Sequence, residues 1–349
     1  MRSQTLRKLA SAVGVLALTA VIVTAAATVQ MTGAGATFPR PIYDKWFNMY
    51  QSIGNIQFNY QAIGSGGGIK GVTEGTVDFG ASDAILTPDQ MAAFKAQHDG
   101  TNLLTFPTVL GAVVPAYNLP DVKPELNFTG QVLADIYLAK IRKWNDPAIA
   151  KLNPGVKLPD QNIFVAHRAD GSGTTFCFTD YLSKVSPAWA KGPGRNASIN
   201  WPECESCMGA KNNDGVAGLL KQNVGALGYV ELIYAVKNHL AYGKVMNKSG
   251  EYVKADLKTV SAAAAAMKEA AADTQVSITD ASGKGVYPIS TFTWLLIPEK
   301  SKDPQKAQAL KGFVKWAVTK GQDEVEALDY ARLPSSVAKE VEKRAEMIK

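Results

Sequence analysis

His167-Arg168-Ala169-Asp170-Gly171-Ser172-Gly173-Thr174-Thr175-Phe176 (HRADGSGTTF) joins two readable segments. Before it, Asn162 to Ala166 (NIFVA) is a short apolar run of the kind that forms a buried strand. After it, Phe176, Phe178, Leu182 and Val185 are spaced for a helix. A Gly-Ser-Gly-Thr turn that opens a helix aims backbone N–H groups and two hydroxyls at one point, with the positive end of the helix dipole behind them. Arg168 adds a planar, doubly donating cation, and Asp170 lies close enough in the chain to hold its guanidinium. Donors of this kind suit a tetrahedral oxyanion. The same residues also describe an ordinary capped helix, so the stretch gains weight only if its pattern recurs.

It recurs. Gly33 to Pro39 (GAGATFP) precedes a helical pattern through Ile42, Trp46, Met49 and Tyr50, with Pro41 in the first turn. Asn55 to Tyr60 (NIQFNY) alternates like a strand and runs into Ala62 to Gly68 (AIGSGGG), after which Ile69 and Val72 share a helical face. Val77 to Asp83 (VDFGASD) is a third short strand, ending in a small-residue turn that carries a carboxylate. Strand, glycine loop and helix in alternation predict an α/β protein with a largely parallel sheet. In such sheets ligands gather at the carboxyl ends of the strands.

These blocks, together with residues 105–118 (TFPTVLGAVVPAYN) and 135–144 (DIYLAKIRKW), stand in the order found in the periplasmic phosphate-binding proteins, the solute receptors of the phosphate-specific ABC importer. The chain resembles that family from about residue 33 to about residue 345. The resemblance implies a type II periplasmic-binding-protein fold, with two α/β lobes joined by crossing strands around a ligand cleft. With the extended apolar runs near Val109 and Thr291, it places lobe one at residues 28–108 plus 290–349 and lobe two at 109–289. It also implies that inorganic phosphate is held by Thr37, Phe38 through its backbone, Ser65, Asp83, Arg168, Ser172, Gly173 and Thr174, with Asp170 behind Arg168. The permease of an inner-membrane ABC importer is the implied partner. No catalysis, cofactor or metal is implied, and the receptor is expected to be a monomer. Gly66 stands where the family often has a second serine, and His167 where an arginine often precedes the binding arginine. The resemblance says least about residues 203–213, and Asn212 follows Lys211 where a glycine is usual.

Composition agrees with a two-lobed globular chain: 349 residues, 46% hydrophobic and 19% charged. Residues 1–27 read as a secretory signal. Arg2, Arg7 and Lys8 form its basic start and Val13 to Val23 its apolar core, and Ala25-Ala26-Ala27 offers cleavage after Ala27. The apolar core is shorter than the ~20 residues of a membrane span, and no cysteine sits at the cleavage site to carry a lipid. An exported, periplasmic protein is therefore expected. Without Arg2, Arg7 and Lys8, Lys+Arg falls from 37 to 34 against 31 Asp+Glu, and the net charge from +6 to +3. That is too mild for a nucleic-acid binder.

Farther along, Asp135 to Trp144 reads as an amphipathic helix with Lys140, Arg142 and Lys143 outward, and Asn223 to Glu231 as a turn entering a strand. Val260 to Ala272 is helical by propensity. Ala309, Leu310, Phe313, Val314, Trp316 and Ala317 mark a helix expected to pack on lobe one, and a final helix after Leu333-Pro334 is expected outside in solvent. Cys204 and Cys207 form a C-x-x-C that zinc, redox chemistry or a local disulfide would each explain. No second ligand pair is near, and Pro and Gly flank the loop, so in an oxidising compartment a Cys204–Cys207 disulfide with Cys177 as a buried free thiol is expected.

Functions of other classes fare less well. A secreted hydrolase or phosphatase would use Ser172 or Ser65 as its nucleophile. The G-x-S-x-G elbow, however, needs glycines where Asp170 and Thr174 stand, and the chain has only three histidines, His98, His167 and His239. No G-x-x-x-x-G-K-[ST] run supports a nucleotide enzyme. Within the receptor class, sulfate, molybdate or phosphonate are the alternative ligands.

Overall fold

The computed structural model describes residues 28–266 and 275–349; the expected signal segment and the end of the alanine-rich stretch lie outside the described residues. The first strand, loop and helix are β1 (Val29–Gly35) and α1 (Arg40–Gly54), with Pro41 in the first turn, where its missing N–H breaks no helical bond. Next come β2 (Ile56–Gln61), α2 (Ser65–Thr73), β3 (Phe79–Ser82) and α3 (Pro88–Gln97), the last started by a capping box between Thr87 and Gln90. β4 (Leu103–Tyr117) follows, buried along its whole length.

The middle of the chain forms β5 (Asn127–Phe128), α4 (Gly130–Tyr137), α5 (Pro147–Leu152), β6 (Phe164–Arg168), α6 (Gly173–Val185) and α7 (Pro187–Lys191). β7 (Cys207–Ala210), α8 (Asn212–Gln222), β8 (Ala226–Glu231) and α9 (Leu232–Lys237) continue the alternation. Then come β9 (Ala241–Tyr242), β10 (Lys244–Met246), β11 (Tyr252–Val253), α10 (Leu257–Ala265), β12 (Ser290–Pro298), α11 (Pro304–Val318) and α12 (Ser335–Arg344). Among the described residues no helix is long and apolar enough to cross a membrane.

The main sheet runs in the order β2-β1-β3-β12-β4-β8-β6-β7, with β9 added on β4. Its two wings, β2-β1-β3 and β8-β6-β7, are parallel. Between them lies the antiparallel pair of β12 and β4. β4 pairs with β12 through Ala112 and with β8 from Val113 onward, so one fully buried strand belongs to both halves of the sheet. The register shifts between Thr293 and Trp294, opposite Pro107, which has no N–H to give to the ladder.

Each wing has its own aromatic core. Beside β1 and β2, Phe47 stacks on Phe58 at 4.3 Å and Phe58 meets Phe313 of α11 at 4.8 Å. On the other wing Phe178 stacks on Tyr229 at 4.4 Å and Tyr137 packs edge-on against Phe178 at 4.9 Å.

Three expectations need correction. Residues 135–144 are not one helix: α4 ends at Tyr137, and Ala139 has φ 58°, outside the helical region. Trp144 is buried all the same, its indole N–H donating to Gly225 O at 2.9 Å, so its apolar spacing with Ile141 marks a packed turn. α6 starts at Gly173, three residues before the expected Phe176, because the Ser172 hydroxyl caps it by accepting from Thr175 N at 3.0 Å. The last helix is not fully solvated, since Val337 and Val341 of α12 are buried.

Candidate functional site

Parallel strands pointing the same way bring their carboxyl ends together. β1 ends at Thr37 and Phe38, β2 at Ser65, β3 at Asp83, β6 at Arg168 and the Asp170–Thr174 turn, and β7 at Asn212 and Asn213. Thr37, Phe38, Ser65, Asp83, Arg168, Ser172 and Thr174 are all buried. Most are tied together across the two wings.

The first cluster centres on Ser65. Its Oγ accepts from Asp83 N at 3.2 Å and from Gly173 N at 3.1 Å, so the start of α2 touches the start of α6. Gly66 N donates to Gly171 O at 2.9 Å beside it. Gly173 is glycine for lack of room: a Cβ there would stand 2.5 Å from Asp83 Oδ2 and 2.6 Å from Ser65 Oγ. Asp83 Oδ1 accepts from Thr293 Oγ at 2.7 Å. Burial pushes the Asp83 carboxyl up to about 7, against the opposing pull of the Thr293 hydroxyl, the Arg168 charge and the Ser65 hydroxyl.

The second cluster centres on Arg168. Asp170 grips its guanidinium from the side, with Nε to Oδ1 at 2.7 Å and Nη2 to Oδ2 at 2.5 Å, which leaves Nη1 turned to Thr174 Oγ1 at 3.4 Å. Asn212 N steadies Asp170 at 3.2 Å, and the buried Tyr229 hydroxyl accepts from Arg168 N at 3.1 Å. Asn213, also buried, links Thr174 to Thr37 through its side-chain amide.

Phe38 enters through its backbone neighbours. Tyr234 donates to Thr37 O at 2.6 Å and Tyr330 to Phe38 O at 2.5 Å. In a trans peptide the N–H points opposite to the carbonyl, so pinning Thr37 O turns Phe38 N–H the other way. Ser172 stands apart in one respect: its hydroxyl is engaged as the cap of α6. His167, next to Arg168, stacks on Trp201 at 4.7 Å with Nδ1 near Arg168 O. It is not paired with Ser172 as a base would be.

The cysteines lie off the site. Cys204 and Cys207 form a disulfide at the start of β7, the end remote from Asn213, and their sulfurs are thereby removed from zinc ligation. Cys177 is free and buried, and burial raises its thiol well above the usual range. A four-residue loop is worth about 2 kcal/mol of chain entropy. The Cys204→Ser/Cys207→Ser protein is therefore expected to melt lower while binding its ligand within about threefold of wild type, which melting curves and calorimetry would check.

Asn213, Thr293, Tyr229, Tyr234 and Tyr330 are site-shaping residues that sequence reasoning missed. Thr293 and Tyr229 sit in runs that read as plain core strands. The Asn-Asp-Gly at 213–215 looks like a surface turn, and nothing local signals that Asn213 is buried.

Residues 23–320 match the PBP superfamily domain. The phosphate-binding protein PstS of Pasteurella multocida is 42% identical over 337 residues, covering 96% of this chain and 94% of its own length. PstS of Xylella fastidiosa is 41% identical over 317 residues, covering 90% of this chain and 84% of its own. Among solved structures, the phosphate binding protein of Stenotrophomonas maltophilia superposes with a TM-score of 0.70 at 19% identity, covering 90% of this chain and 94% of that one. That last likeness is one of fold.

Proposed function

Since the chain belongs to the phosphate-binding proteins of the PBP superfamily, whose fold is two α/β lobes around a cleft, we propose that it captures inorganic phosphate outside the cytoplasm and delivers it to an ABC import permease. It is a receptor and not an enzyme. The observation that carries the ligand assignment is the pairing of one buried, pre-oriented cation with one buried carboxylate among neutral donors. Arg168, the Thr37, Ser65 and Thr174 hydroxyls and the amides of Phe38 and Gly173 replace the water around the anion. Ser172 contributes the turn that aims α6 at it. Asp83 accepts the proton that phosphate keeps near neutral pH. Calorimetric titration with phosphate, arsenate and sulfate tests the reading: phosphate binding with sulfate at least a hundredfold weaker supports it, and equal binding of sulfate sinks it.

On this reading the lobes are residues 28–108 plus 290–349 and residues 109–289, with β4 and β12 as the crossing strands. In support, β12 pairs with β3 and α11 packs beside β1, which ties the carboxyl-terminal part to the first wing. Comparison of ligand-free and phosphate-bound crystal structures is expected to show these two sets moving as rigid bodies. A hinge elsewhere in the chain would redraw the boundary. The protein acts as a monomer in the periplasm after cleavage following Ala27, and the closed form presents the surface that the permease recognises.

Closure brings Gly173 against Asp83 and Ser65, so the site tolerates no side chain there. Gly173→Ala is expected to weaken phosphate binding at least tenfold while the melting temperature of the ligand-free protein hardly moves, because the clash exists only between closed lobes. Calorimetry and melting on the same sample would check both.

A further inference from the structure

Asn213 is the one buried amide that joins residues of both wings at the site among the described hydrogen bonds. Its orientation is fixed from behind, because Glu231 N donates to Oδ1 at 3.0 Å and an N–H can be met only by the amide oxygen. The two Nδ2 hydrogens then reach Thr37 Oγ1 at 3.0 Å and Thr174 Oγ1 at 3.1 Å. Each hydroxyl has a second donor as well: Asn213 N to Thr37 Oγ1 at 3.4 Å, and Arg168 Nη1 to Thr174 Oγ1 at 3.4 Å.

A hydroxyl has two lone pairs and one proton. With both pairs engaged, each threonine has only its O–H left, and it can serve only as a donor. From this we infer that Asn213 is a positioning residue that sets the hydrogen-bond polarity of the anion site and latches the closed lobes. It holds the Thr37 and Thr174 protons toward an acceptor, which an oxyanion is, and it does so only when the loops after β1 and β6 have come together. The inference rests on the phosphate-receptor reading. A latch made in the closed form slows ligand release more than capture.

The test uses the mature protein and inorganic phosphate, with binding measured by calorimetry and release by stopped flow. Asn213→Leu nearly keeps the volume and deletes the donors; Asn213→Ala deletes both. Both are expected to raise Kd at least tenfold, mostly through faster release. The Asn213→Leu change should cost less in a Thr174→Val background, where one of its two clients is gone. If the wild type binds phosphate and Asn213→Leu stays within threefold of it, the residue is packing and the inference falls while the receptor reading stands. Losses in the double variant that simply multiply would also overturn it. If one substitution prevents folding, by melting curve, the other decides. A wild type that binds no phosphate would take the receptor reading and this inference down together.

Discussion

Arg168→Ala is expected to raise the dissociation constant for phosphate about a thousandfold, the largest effect of any single change in the site. Two losses add. The anion loses its buried cation, and Asp170, held by that cation through two hydrogen bonds, is left as an unpaired carboxylate near the ligand. Breaking a buried pair by removing one partner costs about 3–5 kcal/mol, and each ~1.4 kcal/mol is tenfold in affinity. Arg168→Lys restores the charge and not the fork: an ammonium cannot face Asp170 with two parallel donors and still present a third to the anion. It should recover part of the loss. Calorimetry on the two variants would check the ordering, and a lysine protein that binds as tightly as wild type would show that the fork geometry is irrelevant. Removing the stray charge as well, in Arg168→Ala/Asp170→Ala, should recover some of the affinity.

Asp83 governs which anion is admitted, and its expected effect is the second largest. Phosphate near neutral pH keeps a proton that the carboxylate can accept, whereas sulfate has none and would face a buried, unpaired charge. That penalty is about 3 kcal/mol or more, on the order of a hundredfold in the preference for phosphate. Asp83→Asn supplies an N–H donor that sulfate can accept, and the preference should collapse. The titration near 7 adds a pH signature. Below that value the carboxyl carries its own proton and can donate to sulfate, so the wild-type preference should narrow between pH 8 and pH 5.5. The Asn variant should show a flat profile. A phosphate-to-sulfate ratio unchanged by Asp83→Asn would discard the selectivity role.

The same group leaves a mark on stability. Its carboxyl is raised from 3.8 to about 7 in the folded protein, so between those values the folded chain keeps a proton that the unfolded chain releases. Stability from this group is complete below the unfolded value and is lost as pH rises through about 7. Ligand-free Asp83→Asn is accordingly expected to melt a few degrees above wild type at pH 8, with the gap closing toward pH 4.

Much of this was legible in the chain because it is local. A Gly-Ser-Gly-Thr run after an apolar strand dictates a capped helix start whatever surrounds it, and Ser172 and Gly173 stand where that logic puts them. Three such units imply an α/β sheet, and the sheet sends its loops to one edge. The Arg168–Asp170 fork spans two residues, so sequence alone could propose it. Periodicity misled at Trp144, since spacing records which side chains are buried and not whether a helix or a turn carries them there.

What only the tertiary structure decided depends on residues far apart in the chain. Thr293 reaches Asp83 across a register shift set by Pro107, Tyr330 pins the Phe38 carbonyl, and Asn213 joins Thr37 to Thr174. None of these partners has a local signature, because a hydrogen bond between distant segments leaves no pattern in either one. The acidity of Asp83 belongs to the same class. The sequence determined that a carboxylate would stand beside the anion, but how readily it takes a proton follows from burial, and burial is a property of the whole fold.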